Sequence, residues 1–412
     1  MIPRHSLPFG IGTALAVLAA QAPAVQVSDL EKAYADALGL HSAILLPSVR
    51  AGIHMVIQSL NKPDMIVAGP AYTCHTVHEA LALSGAHTQL VDSAPDSFLM
   101  PIEDIEILST IKPVCALVLS EVYGIPYDLK MLRNADKKGH RVSILDMAMC
   151  IPSQERMQQL EAMDVALFSF GWGKPMYAGW GGIACFQDLE LAGKIREIRD
   201  RWTTPDSVGQ RFQRDCSTFF RVVMNQRRLY GLSHEQHLYR LYKNIITSRN
   251  EQGFPPTTHG DALQPVPGLS LNALPSEWKR PMTPLNRKLA LRNLRHSVQN
   301  AELRRSQAEI YSRSLVESGI VRGPGNNTLP QSHFPIRLPS AVRNTMCDYL
   351  RVRGIDTSTL FPLPAGLSQE HYPHAAEAAD EVVTLPMGPT ITLDEVRMVS
   401  QRVKDGLQAL GC

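Results

Sequence analysis

Lys174 lies in a stretch whose residue types could do chemistry: Asp164 to Asp188, DVALFSFGWGKPMYAGWGGIACFQD. An apolar run of strand length, Val165 to Phe170, opens it, and a second, Ile183 to Phe186, closes it. Between them lie five glycines and Lys174. Short apolar runs bounded by glycine read as buried strands, so Lys174 is expected in a glycine-rich turn joining two core strands. Glycine lets another molecule approach the backbone closely. A lysine held in such a turn can lose water, which favours its neutral, nucleophilic form. That is the amine a Schiff base with pyridoxal phosphate (PLP) needs. The competing reading is a surface lysine in a flexible hairpin.

Val142 to Asp146, VSILD, is another short apolar run, and it ends in a carboxylate. Open α/β sheets place ligands at the carboxyl ends of their strands. A carboxylate there can face the pyridine nitrogen of PLP and keep it protonated, so that the ring draws electrons. The competing role for Asp146 is a helix N-cap, common for aspartate at a strand end.

The order and spacing of these elements resemble the DegT/DnrJ/StrS family of sugar aminotransferases, which are fold-type-I PLP enzymes. The strand ending at Asp146, the block from Ser169 to Lys174 and the Gly-Trp-Gly-Gly turn at 179–182 carry the resemblance. It runs from about residue 28 to the C-terminus, apart from one long insertion. It implies that Lys174 is the Schiff-base lysine and Asp146 the partner of the ring nitrogen. Ser169, five residues before Lys174, matches the family's phosphate-binding serine. The turn Ser48 to Gly52 matches a small-residue S-G-T-A element that holds the phosphate, with Val49 and Arg50 in the Gly-Thr places. The guanidinium of Arg50 suits a phosphate; its competing reading is a surface salt bridge. Tyr72, Cys74 and His75 match a P-S-F-T-F element whose second aromatic stacks on the PLP ring. Cys74 stands in that place, Tyr72 at the first aromatic, and His75 is able to turn in instead. The competing reading for Tyr72 is plain core packing. Met149 stands where the family commonly has a polar residue on the cofactor's hydroxyl, and a thioether makes no strong hydrogen bond.

The implied activity is transfer of an amino group from an amino acid, expected to be glutamate, to a keto-sugar expected to be linked to a nucleotide. The implied assembly is a homodimer. Two other readings stay open. The departures at Arg50, Cys74 and Met149 could mark another PLP reaction on a non-sugar substrate, or the chain could be a degenerate homologue that binds without catalysing.

Composition sets outer bounds. The chain has 412 residues, 44% hydrophobic and 19% charged, with a formal net charge of +2. That balance is ordinary for a globular protein and gives no reason to expect nucleic acid as a partner. Seven cysteines are scattered without a CxxC pair, so neither a zinc ribbon nor a thioredoxin-like site is suggested. No metal site is expected, and the odd, scattered set fits a reducing cytoplasm. The apolar run Thr13 to Ala20 is too short to span a membrane and reads as a helix of the N-terminal arm.

The elements that must position these residues alternate. Strand candidates at 43–46, 65–68, 88–92, 114–119 and 142–146 are separated by helical patterns, the signature of βαβ units and a mostly parallel sheet. Ser28-Asp29-Leu30-Glu31 has the capping-box pattern and predicts a helix to about Ala37; another helix is expected over Asp128 to Lys138. The stretch from 190 to about 275 reads as an insertion. Phe219 to Lys243 within it mixes aromatic and basic residues, suited to a membrane surface, to an anionic substrate or simply to packing on the fold. Arg249 to Pro275 reads as a loop. Met282 to about Leu315 has a long amphipathic pattern resembling the family's dimer-interface helix, with Leu285 and Leu289 expected in the contact. The expected organisation is an N-terminal arm (1–27), a large PLP-binding α/β domain (28–275) and a smaller C-terminal α/β domain (276–412).

Overall fold

The computed structural model describes residues 1–19, 24–60, 64–104, 114–135, 141–161, 164–234, 258–259, 262–263, 274–324, 330–364, 367 and 369–411. Seven strands build its main sheet: β1 (Ser42–Leu46), β2 (Ile66–Pro70), β3 (His87–Val91), β4 (Val114–Ser120), β5 (Val142–Asp146), β6 (Asp164–Ser169) and β7 (Gly182–Phe186). Their spatial order is β1-β7-β6-β5-β4-β2-β3. Of the seven, β7 alone runs against its neighbours. The reason is local. Parallel neighbours need a long crossover, which helices supply between β1 and β6, whereas the glycine-rich turn folds β7 straight back onto β6. A short hairpin, β8 (Thr258–His259) and β9 (Ala262–Leu263), extends the sheet beyond β3 within the stretch expected to be loop.

Alternate residues of each strand enter two different cores. Ile44, Val67, Val118, Ile144, Leu167 and Phe186 pack with the helices Val49–Ser59, His75–Leu83 and Leu189–Trp202. Leu45, Ala68, Leu117, Leu145, Phe168 and Ile183 pack on the opposite face with Val27–Leu38 and Pro284–Arg295. A sheet covered on both faces explains why its strands read as near-continuous apolar runs. A smaller C-terminal α/β unit surrounds β10 (Phe334–Arg337) and β11 (Val382–Leu385), which pair antiparallel. The helices Ser297–Tyr311, Ser340–Val352 and Leu393–Leu410 close a third core around them. The N-terminal arm joins this core through Ile2, whose N–H donates to the Gly354 carbonyl at 2.7 Å. The arm's apolar run is the helix Ile11–Ala19.

Several boundaries depart from expectation. The first long helix begins at Val27, and the Asp29 carboxylate reaches back to the Gln26 N–H at 3.2 Å, so the capping box sits two residues earlier than the Ser28 pattern implied. The helix expected over Asp128 to Lys138 is described as Leu129–Ala135; residues 136–140 lie outside the described set. The single helix expected from Met282 to Leu315 is two, Pro284–Arg295 and Ser297–Tyr311, broken at His296 (φ −108°, ψ 11°). The halves serve different cores: Leu285 and Leu289 face the main sheet, whereas Ala308 and Tyr311 face the C-terminal unit. One straight apolar stripe does not face both, so the helix breaks. Leu285 and Leu289 are only 7% and 1% exposed within a single chain. They are not available for the subunit contact expected of them.

Candidate active site

The carboxyl ends of β1, β5 and β6 open into one cleft of about 1520 Å³. Lys174, Asp146, Ser169, Ser48, Val49, Arg50, Cys74 and His75 all line it. Strands far apart in sequence are neighbours in this sheet, so residues separated by more than a hundred positions meet.

Lys174 sits in the loop between β6 and β7. That loop is tied down by the Phe170 N–H on the Gly181 carbonyl at 2.9 Å and the Ala178 N–H on the Phe170 carbonyl at 3.0 Å. Gly173, just before it, has φ +75°, and a Cβ there would stand 3.1 Å from the His5 ring. Glycine therefore permits both the turn and the approach of the N-terminal arm. Lys174 lines the cleft together with Cys74, Asp146 and His333, and its charge acts on all three.

Asp146 ends β5. Its Oδ1 accepts from the Ala148 N–H at 3.1 Å and its Oδ2 from the Ser120 hydroxyl at 3.3 Å. Burial pushes its carboxyl above the usual range, while Lys174 and these two donors pull it back. A buried carboxylate in this position calls for a cationic partner.

Ser48 caps the helix Val49–Ser59, its Oγ accepting from the Ala51 N–H at 3.2 Å. The first N–H groups of a helix have no partner within it, and Ser48 takes only that of Ala51. This positive end reaches the sheet edge because Gly182 has no side chain: a Cβ there would stand 3.2 Å from the Val49 nitrogen. Ser169, at the end of β6, accepts from the Gly171 N–H at 3.2 Å. Arg50 donates to Glu79 at 3.0 Å while lining the cleft, so its fork is held on one side by a carboxylate.

Cys74 is the N-cap residue of His75–Leu83, and its Sγ accepts from the Thr76 hydroxyl at 3.2 Å. Burial raises its thiol, but the hydrogen bond from His75, the Lys174 charge and Thr76 outweigh it and bring the thiol down to about 7. His75 is raised in turn, chiefly by its bond to Cys74.

Tyr72 does not line the cleft. It is buried, with its hydroxyl 2.6 Å from that of Tyr123 and accepting from the Phe361 N–H at 3.0 Å. Core packing is its role, and the expected ring contact is withdrawn. Met149 lines the cleft but turns its Sδ to the Tyr123 N–H at 3.2 Å.

Sequence reasoning missed the opposite wall. His5 Nδ1 lies 3.0 Å from His333 Nε2, and both line the cleft. Burial, followed by the charges of Arg304, Lys174 and Arg4, pushes His333 down to about 3, so its imidazole is neutral. Trp172, Trp180, Phe220 and Arg221 complete this side. Trp172 and Trp180 carried a signal, standing between glycines around Lys174, and Phe220 and Arg221 lay in the aromatic-basic stretch from Phe219 to Lys243; His5 and His333 carried none.

This donor set fits PLP. The cleft offers an amine, a buried carboxylate suited to a pyridinium, and a glycine-cradled helix N-terminus with hydroxyls and a guanidinium suited to a phosphate. Among the described residues no group of histidine, cysteine and carboxylate side chains could hold a metal ion, and no helix is long and apolar enough to cross a membrane.

Solved structures share the fold. Spr1654 of Streptococcus pneumoniae in a PMP form is 15% identical, with TM-score 0.70 and 99% of each chain covered. The sugar aminotransferase CalS13 of Micromonospora echinospora is 19% identical, with TM-score 0.68, covering 98% of this chain and 100% of its own. NtdA of Bacillus subtilis, with bound PMP, is 17% identical, with TM-score 0.68, covering 97% of this chain and 81% of its own. The model of the DegT/DnrJ/EryC1/StrS aminotransferase family matches residues 21–223 and 278–404, leaving 224–277 aside. With so much of the sequence matched and the PLP-type donor set gathered in one cleft, the chain belongs to the DegT/DnrJ/EryC1/StrS aminotransferase family and is a PLP-dependent aminotransferase.

Proposed function

We propose that this cleft moves an amino group from an amino acid, with glutamate the expected donor, to a keto-sugar carried on a nucleotide. The observation that carries the reading is the meeting of Lys174, Asp146 and Ser169 with the start of the helix Val49–Ser59 in one cleft. PLP, when bound, supplies a carbonyl carbon for amine exchange and a ring that stores an electron pair. Lys174 provides the amine for covalent attachment. As a free amine in the cleft it would also be the general base that takes up and returns the proton the exchange moves. Asp146 would hold the ring nitrogen, and the hydrogen bonds from Ala148 and Ser120 fix its direction. Ser48, Ser169, the Val49 and Arg50 amides and the free side of the Arg50 fork would hold the phosphate. Cys74 and His75 would hold the ring.

The same reading makes the protein a cytoplasmic homodimer of two domains per chain with an N-terminal arm. The scattered cysteines support a reducing compartment, and the commonest symmetric oligomer supports the dimer. The test is incubation of the PLP-loaded enzyme with glutamate and a panel of keto-sugar nucleotides. An aminated sugar and an equal amount of 2-oxoglutarate are expected; no product from any member of the panel would sink the proposal.

A further inference from the structure

We propose that Cys74 and His75 form a peroxide-reactive thiol site whose oxidation shuts PLP out of the cleft. This goes beyond amino transfer and rests on the reading that Cys74 and His75 hold the cofactor ring.

Several groups converge on the Cys74 sulfur. It lines the cleft with Lys174 and is only half-buried, so a small solute reaches it. The Thr76 hydroxyl donates to Sγ at 3.2 Å, and His75 hydrogen-bonds it from the first position of the helix His75–Leu83. Cys74 is the N-cap of that helix, yet its side chain takes none of the helix N–H groups. The sulfur thus stands at the positive end of the helix without being spent on its backbone. His75 is set in turn. Glu79 follows it by one turn on the same helix face, its charge acts on His75 against that of Arg50, and Arg50 pins its carboxylate at 3.0 Å. Thiol, imidazole and carboxylate follow one another as nucleophile, base and orienting group.

Other cysteines lie in the opposite environment. Cys150 donates to Glu121 Oε2 at 3.1 Å, and burial together with that carboxylate pushes its thiol up. Burial does the same to Cys185. With its own thiol at about 7, Cys74 offers a large share of thiolate at neutral pH, the form that attacks.

The step balances. The thiolate attacks one oxygen of hydrogen peroxide, the O–O bond breaks, and the other oxygen leaves as water with the proton of the His75 imidazolium. The sulfur gives up two electrons to the peroxide and becomes a sulfenic acid. Two molecules of a thiol reductant reverse it: they form one disulfide, water leaves, and the Cys74 thiol returns. Behind Cys74 is only a recess of about 10 Å³, lined also by Ser120, Asp146 and Lys174, which is room for at most one water. Peroxide therefore approaches from the cleft and leaves its oxygen on that side, in the space assigned to the ring.

The test exposes the full-length enzyme, PLP-loaded and cofactor-free, to hydrogen peroxide, with and without dimedone, which traps sulfenic acids. Peptide mass spectrometry should find the dimedone adduct on Cys74 of the cofactor-free form and several-fold less of it on the loaded form. Without dimedone, peroxide should weaken PLP binding by roughly tenfold or more, and dithiothreitol should restore it. Cys74→Ser sets its own baseline affinity, which peroxide should not move. No adduct on Cys74 of the cofactor-free chain overturns the proposal. A loss of affinity that persists in Cys74→Ser or resists dithiothreitol overturns it too and points to a methionine sulfoxide, Met149 lining the same cleft. Equal labelling of the loaded and cofactor-free forms overturns the ring-holding reading and the proposal with it. An adduct confined to the cofactor-free form, with PLP affinity unchanged, overturns the exclusion of PLP alone.

Discussion

At the scale of single residues, the site is a contest between burial and charge. Lys174 is the lysine that lines the cleft, so Lys174→Ala should abolish transamination; measurable steady-state turnover in that variant would refute its role. Asp146→Asn keeps an acceptor for the Ala148 N–H but loses the charge that a ring nitrogen needs. Turnover should fall by orders of magnitude, and a loss below about tenfold, roughly 1.4 kcal/mol, would leave Asp146 a structural residue. Cys74 gives the clearest pH signature. Its thiol loses its proton as pH rises through about 7, below the usual value near 8.5 for free cysteine. Iodoacetamide labelling of Cys74 in the cofactor-free enzyme, followed by peptide mass spectrometry, should therefore rise with a midpoint near pH 7. His75→Ala should move that midpoint upward, and a wild-type midpoint at ordinary cysteine values would count against the pairing.

At the scale of elements, the loop between β6 and β7 is shaped by what packs on it. Gly179 has φ +103°, and a Cβ there would stand 2.2 Å from Asn286 Nδ2 and 2.5 Å from Thr218 Oγ1. The helices Val208–Met224 and Pro284–Arg295 thus press on the turn from outside. Gly179→Ala combines backbone strain with overpacking and should cost roughly 2–5 kcal/mol. A thermal melt should show it as a marked drop in Tm, together with weakened PLP retention. An unchanged Tm would mean that the loop tolerates displacement.

At the scale of the whole molecule, the arm, the main sheet and the C-terminal unit are laced together around the cleft. Arg304, fully buried, donates to the carbonyls of Ser332, Gln331 and Ser6 and so ties the arm to the C-terminal unit. Sedimentation of the enzyme at working concentration should give a homodimer; a catalytically active monomer would refute the assembly. Because Leu289 is spent inside its own chain, Leu289→Ala should lower Tm by a core-truncation effect of about 2–5 kcal/mol without dissociating the dimer. Dissociation at unchanged Tm would restore the interface role.

The sequence by itself determined the local chemistry and the sheet class. Val142 to Asp146 and the two runs around Lys174 were legible because buried strands are short, apolar and bounded by glycine or a charge, all of which are properties of neighbours in the chain. Helical text between strands likewise announced parallel pairing. What only the tertiary structure decided is which side chains share a space. Tyr72 and Cys74 are two residues apart, yet one faces the core and the other the cleft, since the backbone turns between them into the helix His75–Leu83. Leu285 and Leu289 had the spacing of an interface stripe, but periodicity states only that a face is buried, not against what. His5 and His333 carried no pattern at all, and Arg221 only the aromatic-basic text of Phe219 to Lys243, which left its partner open. They meet because the arm, the helix Val208–Met224 and the start of β10 converge over one sheet edge, and convergence is a property of the fold rather than of any stretch of sequence.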